Sequence, residues 1–179
     1  MNVIKNMLRA AAVAAVLLPV AATAPAASAD TASGVKVTID SIVPWHLQES
    51  DYDEIYVRVV GPGLLPLTTR TVHAWPTGPD NPVRPVKANT CYAPGALVCP
   101  PGMDVDPFSN PGAKPTFPAR DNVNITIRED DFGADDVIFS WNIPLAPLTT
   151  SVRKSTRIVW PDGSDYQLTV TLSPSDEPV

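Results

Sequence analysis

The sequence predicts an all-β fold, an antiparallel β-sandwich, from three observations. Short runs rich in β-branched and aromatic residues recur along the chain, and several of them alternate apolar and polar positions as half-buried strands do. Turn sequences such as Gly61-Pro62-Gly63 and Asp162-Gly163 separate these runs. No segment after residue 30 has a convincing helical periodicity. Several short strands joined by turns are typical of a Greek-key sandwich.

Residues 1–29 have the pattern of a secretory signal peptide. Lys5 and Arg9 form a basic start, an apolar stretch runs from Ala10 to Ala22, and Ala27-Ser28-Ala29 resembles a cleavage site. The apolar stretch is short for a membrane span, and no second apolar segment follows it. We therefore expect a secreted, extracellular protein of bacterial type, with no transmembrane segment in the mature chain.

The mature chain, residues 30–179, has the length of one domain and is acidic. Without Lys5 and Arg9, 11 basic residues stand against 19 acidic ones, a net charge of −8. Binding to nucleic acid or to anionic lipid by charge alone needs clustered Lys and Arg. The composition therefore argues against nucleic acid as a partner. A protein, a glycan or a lipid surface stays open, and we expect a monomer.

Three strands are expected in the first part of the domain. Val35–Val43 begins with strict alternation of apolar and polar residues, which predicts a half-buried strand, and an acidic loop over 49–54 follows it. Ile55–Val60 is rich in β-branched residues and ends at the Gly-Pro-Gly turn. Thr68–Trp75 is the third expected strand.

The middle of the domain is rich in proline. Residues 76–118 hold eleven prolines in 43 residues, and proline cannot donate to a strand ladder. We expect a long irregular excursion here, with one short strand near 83–88. Cys91 and Cys99 are the two cysteines of the chain, and a short even spacing in an oxidising compartment predicts one disulfide bond.

Regular patterning returns in the last third of the chain. Val123–Arg128 and Val137–Ile143 are expected strands on either side of a second acidic loop. Arg157–Trp160 and Tyr166–Leu172 are expected to form a hairpin, because Asp-Gly between two apolar runs favours a tight turn.

The second acidic loop holds five carboxylates within eight residues, 129–136. Like charges at this density repel one another unless water or a cation relieves the repulsion. Calcium takes about 6–8 oxygen ligands in flexible geometry, which two loops at one rim of a sandwich can supply. The alternative is a set of solvated turn carboxylates. The candidate metal ligands are Asp51, Asp53, Glu54, Glu129, Asp131, Asp135 and Asp136.

These segments resemble the C2 (C-two) domain family of calcium-dependent phospholipid-binding sandwiches. The resemblance lies in two parts of the chain. One is the strand Val35–Val43 with the run Asp53–Val59, and the other is the run Ile127–Ile138 followed by Trp141–Leu145. The chain departs from the family pattern at several positions. Glu54 stands where the family has proline, Ile55 is an additional residue, and Glu129 and Phe139 replace an aspartate and a glycine.

The resemblance implies a calcium site formed by two loops of a sandwich. It matches Asp53 to a ligand in the first loop, and Asp51 is the nearest candidate for the other aspartate of that loop. In the second loop it matches Glu129, Asp131 and one of Asp135 and Asp136.

The sequence favours a secreted, non-catalytic binding module that binds calcium. His46 and His73 are the two histidines, and neither has the spacing of a zinc site or a catalytic triad. We therefore expect no enzyme activity. One alternative is a protease-inhibitor-like protein that presents Ala96-Leu97-Val98 in the Cys91–Cys99 loop. Another is a structural extracellular protein with no ligand.

Overall fold

The computed structural model describes residues 34–77, 83–94, 98–107, 112–130 and 136–177. Within these residues the chain forms eleven strands. In chain order they are β1 Gly34–His46, β2 Asp53–Pro62, β3 Thr69–Trp75, β4 Arg84–Val86, β5 Thr90–Ala93, β6 Asp104–Pro107, β7 Thr116–Pro118, β8 Asn122–Glu129, β9 Asp136–Pro144, β10 Val152–Val159 and β11 Asp165–Ser175. A search of the described part of the chain finds no helix long and apolar enough to cross a membrane. The signal peptide expected over 1–29 lies outside the described residues.

The strands form two sheets packed as a sandwich, which confirms the predicted fold class. The larger sheet has the order β10-β11-β1-β5-β6, and β7 also pairs with β1. The smaller sheet has the order β3-β2-β8-β9, and β4 also pairs with β2. The described pairs are antiparallel except β5 with β6, which is parallel. The first and last strands pair along nearly their whole length, from Gly34 opposite Ser175 to His46 opposite Asp165.

The core lies between the sheets and follows from the alternation within each strand. In β8, Val123, Ile125 and Ile127 are fully buried while the residues between them are partly exposed. Burying one such side chain contributes about 1.5–3 kcal/mol. Phe117 of β7 also lies in the core, against Gly61 of β2. A Cβ at Gly61 would lie 2.5 Å from the Phe117 ring, so glycine permits this close approach.

The proline-rich excursion is more ordered than the sequence predicts. The strand expected near 83–88 is present as β4, but β5, β6 and β7 were not predicted. β4 joins the smaller sheet and the other three join the larger one, so the excursion passes around one edge of the sandwich. Arg84 of β4 donates to both oxygens of Asp106 of β6 at 2.9 Å, which ties the two sheets together there. Very short strands escape detection because three or four residues give no periodicity.

Two further features of the larger sheet bear on the prediction. The disulfide between Cys91 and Cys99 is present, with a Cα–Cα distance of 5.8 Å, which confirms the predicted pairing. β10 begins at Val152, five residues before the strand expected at Arg157. β10 is at the sheet edge and exposes Arg153, so its first half lacks the apolar signature of a buried strand.

Candidate functional site

The two acidic loops leave the same rim of the smaller sheet. The first connects β1 to β2, which begins at Asp53, and the second connects β8 to β9. β2 and β8 are neighbours, with Ile55 opposite Glu129. The Asp130 amide donates to the Glu54 carbonyl at 2.8 Å. The fold therefore brings the end of the first acidic segment beside the start of the second, although the two are about 75 residues apart in sequence.

Asp53 is fully buried, and its carboxylate organises the first loop. It accepts hydrogen bonds from the backbone amides of Gln48 and Glu49 at 3.0 and 2.9 Å. It also accepts a hydrogen bond from the hydroxyl of Tyr166, which comes from β11 of the other sheet. A buried carboxylate needs such donors because it has lost its water. Asp53 thus folds the loop back onto the start of β2.

Glu129 lies close to this pair and is also buried, with 2% of its surface exposed. The pKa of Tyr166 is raised, first by burial, then by its hydrogen bond to Asp53 and by the negative charges of Asp53 and Glu129. Tyr166 is therefore a neutral donor at ordinary pH. We call Asp53, Tyr166 and Glu129 the buried acidic cluster. The sequence did not predict it, because carboxylates in an acidic run are usually solvated.

The other predicted metal ligands have different positions. Asp51 and Asp136 are exposed at the rim, and Glu54 is partly exposed. Asp131 and Asp135 lie outside the described residues. In the described ranges, no three or more His, Cys, Asp or Glu side chains are grouped so that they could hold a metal ion. The seven predicted ligands therefore divide into two buried, three at the surface and two outside the description, and the calcium site stays a prediction.

Asp165 is a further acidic residue near this rim that the sequence did not single out. It lies opposite His46 at the end of β1, and Arg157 donates two hydrogen bonds to its carboxylate, one from Nε at 2.8 Å. These bonds from Arg157 hold the pKa of Asp165 below its usual value, against the opposing effect of burial. The pair flanks the Asp-Gly turn, and that position near a predicted hairpin is the signal that could have identified it.

The Cys91–Cys99 loop packs on the outer face of the larger sheet. Cys91 and Ala93 of β5 are buried there with Val43 of β1, and Val98 packs partly buried against them. Residues 95–97 lie outside the described residues. Of the segment considered for presentation to a protease, the described residue Val98 thus contacts the body of the protein.

Comparisons with known proteins assign no family. No protein-family model matches the chain, and no curated protein matches it. One similar solved structure is described as "CC2D1B coordinates ESRCT-III activity during the mitotic reformation of the nuclear envelope". The match has a TM-score of 0.49 and 14% identity, and covers 83% of this chain and 57% of that one. The chain thus spans less than two thirds of that structure, and a similarity of this size carries no functional argument.

Proposed function

We propose that the protein is a secreted, non-catalytic binding module whose acidic rim binds calcium. The observation that carries the proposal is the contact between the two acidic segments, in which the Asp130 amide donates to the Glu54 carbonyl. This contact joins the end of the segment 49–54 to the start of the segment 129–136. It supports a site to which both segments contribute ligands.

The buried and exposed carboxylates have separate roles in this proposal. Asp53 already accepts three hydrogen bonds, so its role is to set the shape of the first loop. The ion is held by Asp51, Glu54 and Asp136, which are at least partly exposed, together with the predicted ligands Asp131 and Asp135. Calcium suits such a rim because it accepts flexible geometry and completes its coordination with water.

The histidines have contacts that support a non-catalytic role. His46 is exposed, and its Nδ1 lies 3.6 Å from Asp165, a carboxylate already bound by Arg157. His73 stacks on Tyr56 with the ring centroids 5.2 Å apart. A general base must be within hydrogen-bond reach of a nucleophile or substrate, and the contacts described here pair His46 with a carboxylate and pack His73 on an aromatic ring.

Thermal unfolding with and without calcium tests the proposal. An ion that binds the folded state alone stabilises it by about 2.7 kcal/mol at a hundredfold excess over its Kd. For a domain of this size each kcal/mol raises the Tm by about 2–4 °C. We expect a Tm that rises with calcium by several degrees, and by less with magnesium.

The variant that tests the site is Asp131→Asn with Asp135→Asn, which should remove most of the calcium effect. Asp121→Asn is the matched control. Asp121 lies at the opposite rim, and its φ of 58° is one that asparagine tolerates. A wild-type Tm that does not respond to calcium would disprove the proposal. A full response in the double variant would disprove the site.

A further inference from the structure

A cleft of about 500 Å³ lies on the outer face of the larger sheet, away from the acidic loops. Ser155 of β10 and Gln167 and Thr169 of β11 line it from the sheet, and Trp45 and Val98 line its sides. Its volume is in the range of small-molecule sites. The lining residues belong to neither acidic loop, so the cleft is a separate feature of the fold.

The floor of the cleft is a hydrogen-bonded row of polar side chains. Ser155 is opposite Thr169 across β10 and β11, and their hydroxyl oxygens are 3.0 Å apart. The Gln167 amide donates to the Ser155 hydroxyl at 3.1 Å. Successive residues of a strand point to opposite faces, so the alternation that buries Leu168 also places these polar groups outward. Thr169 is buried beneath the row, and Ser155 and Gln167 present donors and acceptors to the cleft.

One side of the cleft is a tryptophan held in a fixed orientation. The indole N–H of Trp45 donates to the Gln167 side-chain oxygen at 3.3 Å. The guanidinium of Arg157 lies 4.5 Å from the centroid of the Trp45 ring, and Asp165 in turn holds Arg157. The aromatic wall is therefore ordered before any ligand arrives, which lowers the entropy cost of binding.

The end of the disulfide loop, Val98 and Cys99, also lines the cleft. Val98, Cys99 and Met103 pack on an apolar patch that β1 and β5 turn outward, and the Cys91–Cys99 bond fixes the loop to β5. The Ser41 hydroxyl also donates to the Val98 carbonyl at 3.5 Å. A sheet face alone would be flat, and this loop gives the face its depth.

The cleft has one cationic side chain, Arg153 of β10, and no Asp or Glu is among its lining residues. Asp40 lies 3.4 Å from the Arg153 Nε and accepts a hydrogen bond from Thr171 at 2.6 Å, so it orients the arginine from beside the cleft. The next residue, Lys154, is opposite the buried Val170 and therefore faces the inner side of the sheet, where it borders a second cavity with Leu172. Arg153 is half-exposed, so its guanidinium can reach an anionic group in the cleft.

We propose that this cleft binds an anionic saccharide, a sugar that carries carboxylate or sulfate groups. Hydroxyl and amide groups in a row match sugar hydroxyls, and Trp45 with Pro100 matches the apolar face of a sugar ring. Arg153 matches the acidic substituent through charge-assisted hydrogen bonds. A neutral sugar leaves the guanidinium unmatched, and a small free anion leaves the aromatic wall unused. This inference rests on the binding-module part of the proposed function and not on calcium.

Calorimetric titration in the presence of EDTA tests the inference without the calcium rim. The probes are a sulfated heparin-derived disaccharide and a digalacturonate, with maltose as the neutral disaccharide and sodium sulfate as the free anion. We expect one of the acidic disaccharides to bind at least about tenfold more tightly than maltose and sulfate, a difference of about 1.4 kcal/mol. Binding should weaken with salt and should not change when calcium is added.

Two variants assign the binding to the cleft. Arg153→Gln should remove the preference for the acidic sugar, whereas Lys154→Gln, on the other face of β10, should keep it. Trp45→Ala should weaken binding of every sugar. Arg70→Gln, on the edge strand β3 of the other sheet, is the matched control and should bind as wild type. Unchanged circular dichroism and Tm show that the variants are folded.

Several results would overturn the inference. The first is no binding of either acidic disaccharide at millimolar concentration, and the second is equal binding of sulfate, which would indicate a simple anion site. Full affinity for the acidic sugar in the Arg153→Gln variant would place the site elsewhere. Tighter binding of a glutamate-rich peptide would identify the ligand as a protein. A failed calcium experiment leaves the inference standing, because the titration contains no calcium.

Discussion

The buried acidic cluster and the outer cleft are two polar regions built on the same strand. Tyr166 and Gln167 are consecutive residues of β11, yet Tyr166 faces the core and donates to Asp53, whereas Gln167 faces outward and contacts Trp45 and Ser155. In the first region the Tyr166 hydroxyl and the Asp53 carboxylate satisfy each other between the sheets. In the second region Ser155 and Gln167 are satisfied at the surface, where a ligand can reach them. The first region therefore stabilises the fold, and the second is available for binding.

The two regions should respond differently to substitution because they differ in access to water. A donor that loses its partner in the core keeps the full cost of its desolvation. A donor that loses its partner at the surface is hydrated instead. Substitutions in the buried acidic cluster should thus mainly lower the free energy of unfolding, and those in the cleft should mainly change affinity.

The largest expected effect is that of Asp53→Ala. This change leaves two backbone amides and the Tyr166 hydroxyl without their acceptor, so we expect the free energy of unfolding to fall by about 3–5 kcal/mol. Asp51→Ala is the control in the same loop. Asp51 is exposed, so its removal should change stability by less than about 0.5 kcal/mol. Urea denaturation measures both, and similar losses in the two variants would contradict a structural role confined to the buried carboxylate.

Replacing both cysteines, Cys91→Ser with Cys99→Ser, should have an intermediate effect. Loss of a disulfide that closes so short a loop costs roughly 2–3 kcal/mol in the chain-entropy account. Because Val98 and Cys99 also form one side of the cleft, the variant should bind the acidic disaccharide more weakly at a temperature where it is still folded. A stability loss with unchanged affinity would show that the disulfide supports the fold without shaping the cleft.

The smallest expected effect concerns Arg157 and Asp165, which connect the two regions. Arg157 holds the pKa of Asp165 below its ordinary value of 3.8, so the pair contributes stability above that pH. This contribution is lost as pH falls through the lower pKa of the folded state. Arg157→Gln should therefore destabilise slightly at neutral pH and flatten the loss of stability below about pH 4. Parallel urea midpoints for wild type and variant across the acid range would show that the pair has no such coupling.

The long strands could be predicted from the sequence because the burial of each one is visible as a pattern of apolar residues. β1, β2, β8, β9 and β11 alternate or concentrate apolar residues over five or more positions, and the structure contains all of them. The strands that were not predicted lack this pattern. β5 to β7 are three or four residues long, and β10 is an edge strand whose outward residues are charged and polar.

For the candidate site, the sequence identified the acidic loops but not which of their carboxylates are buried. Asp51 and Asp53 look equivalent in the sequence, and the structure exposes one and buries the other. The difference depends on Tyr166, which is 113 residues from Asp53 along the chain and reaches it from the opposite sheet. The cleft is likewise assembled from β1, β10, β11 and the disulfide loop, none of which indicates a cavity alone.

The sequence by itself determined the β-sandwich class, the disulfide pair and the positions of the two acidic loops. These properties follow from local patterns, because periodicity, turn chemistry and charge density can be recognised within a few residues. Only the tertiary structure decided which carboxylates are withdrawn from water and where the outer face of the larger sheet becomes concave. Both depend on strand pairings between distant segments. A local pattern indicates which face of its own strand a residue lies on, but not which side chain contacts it across the core.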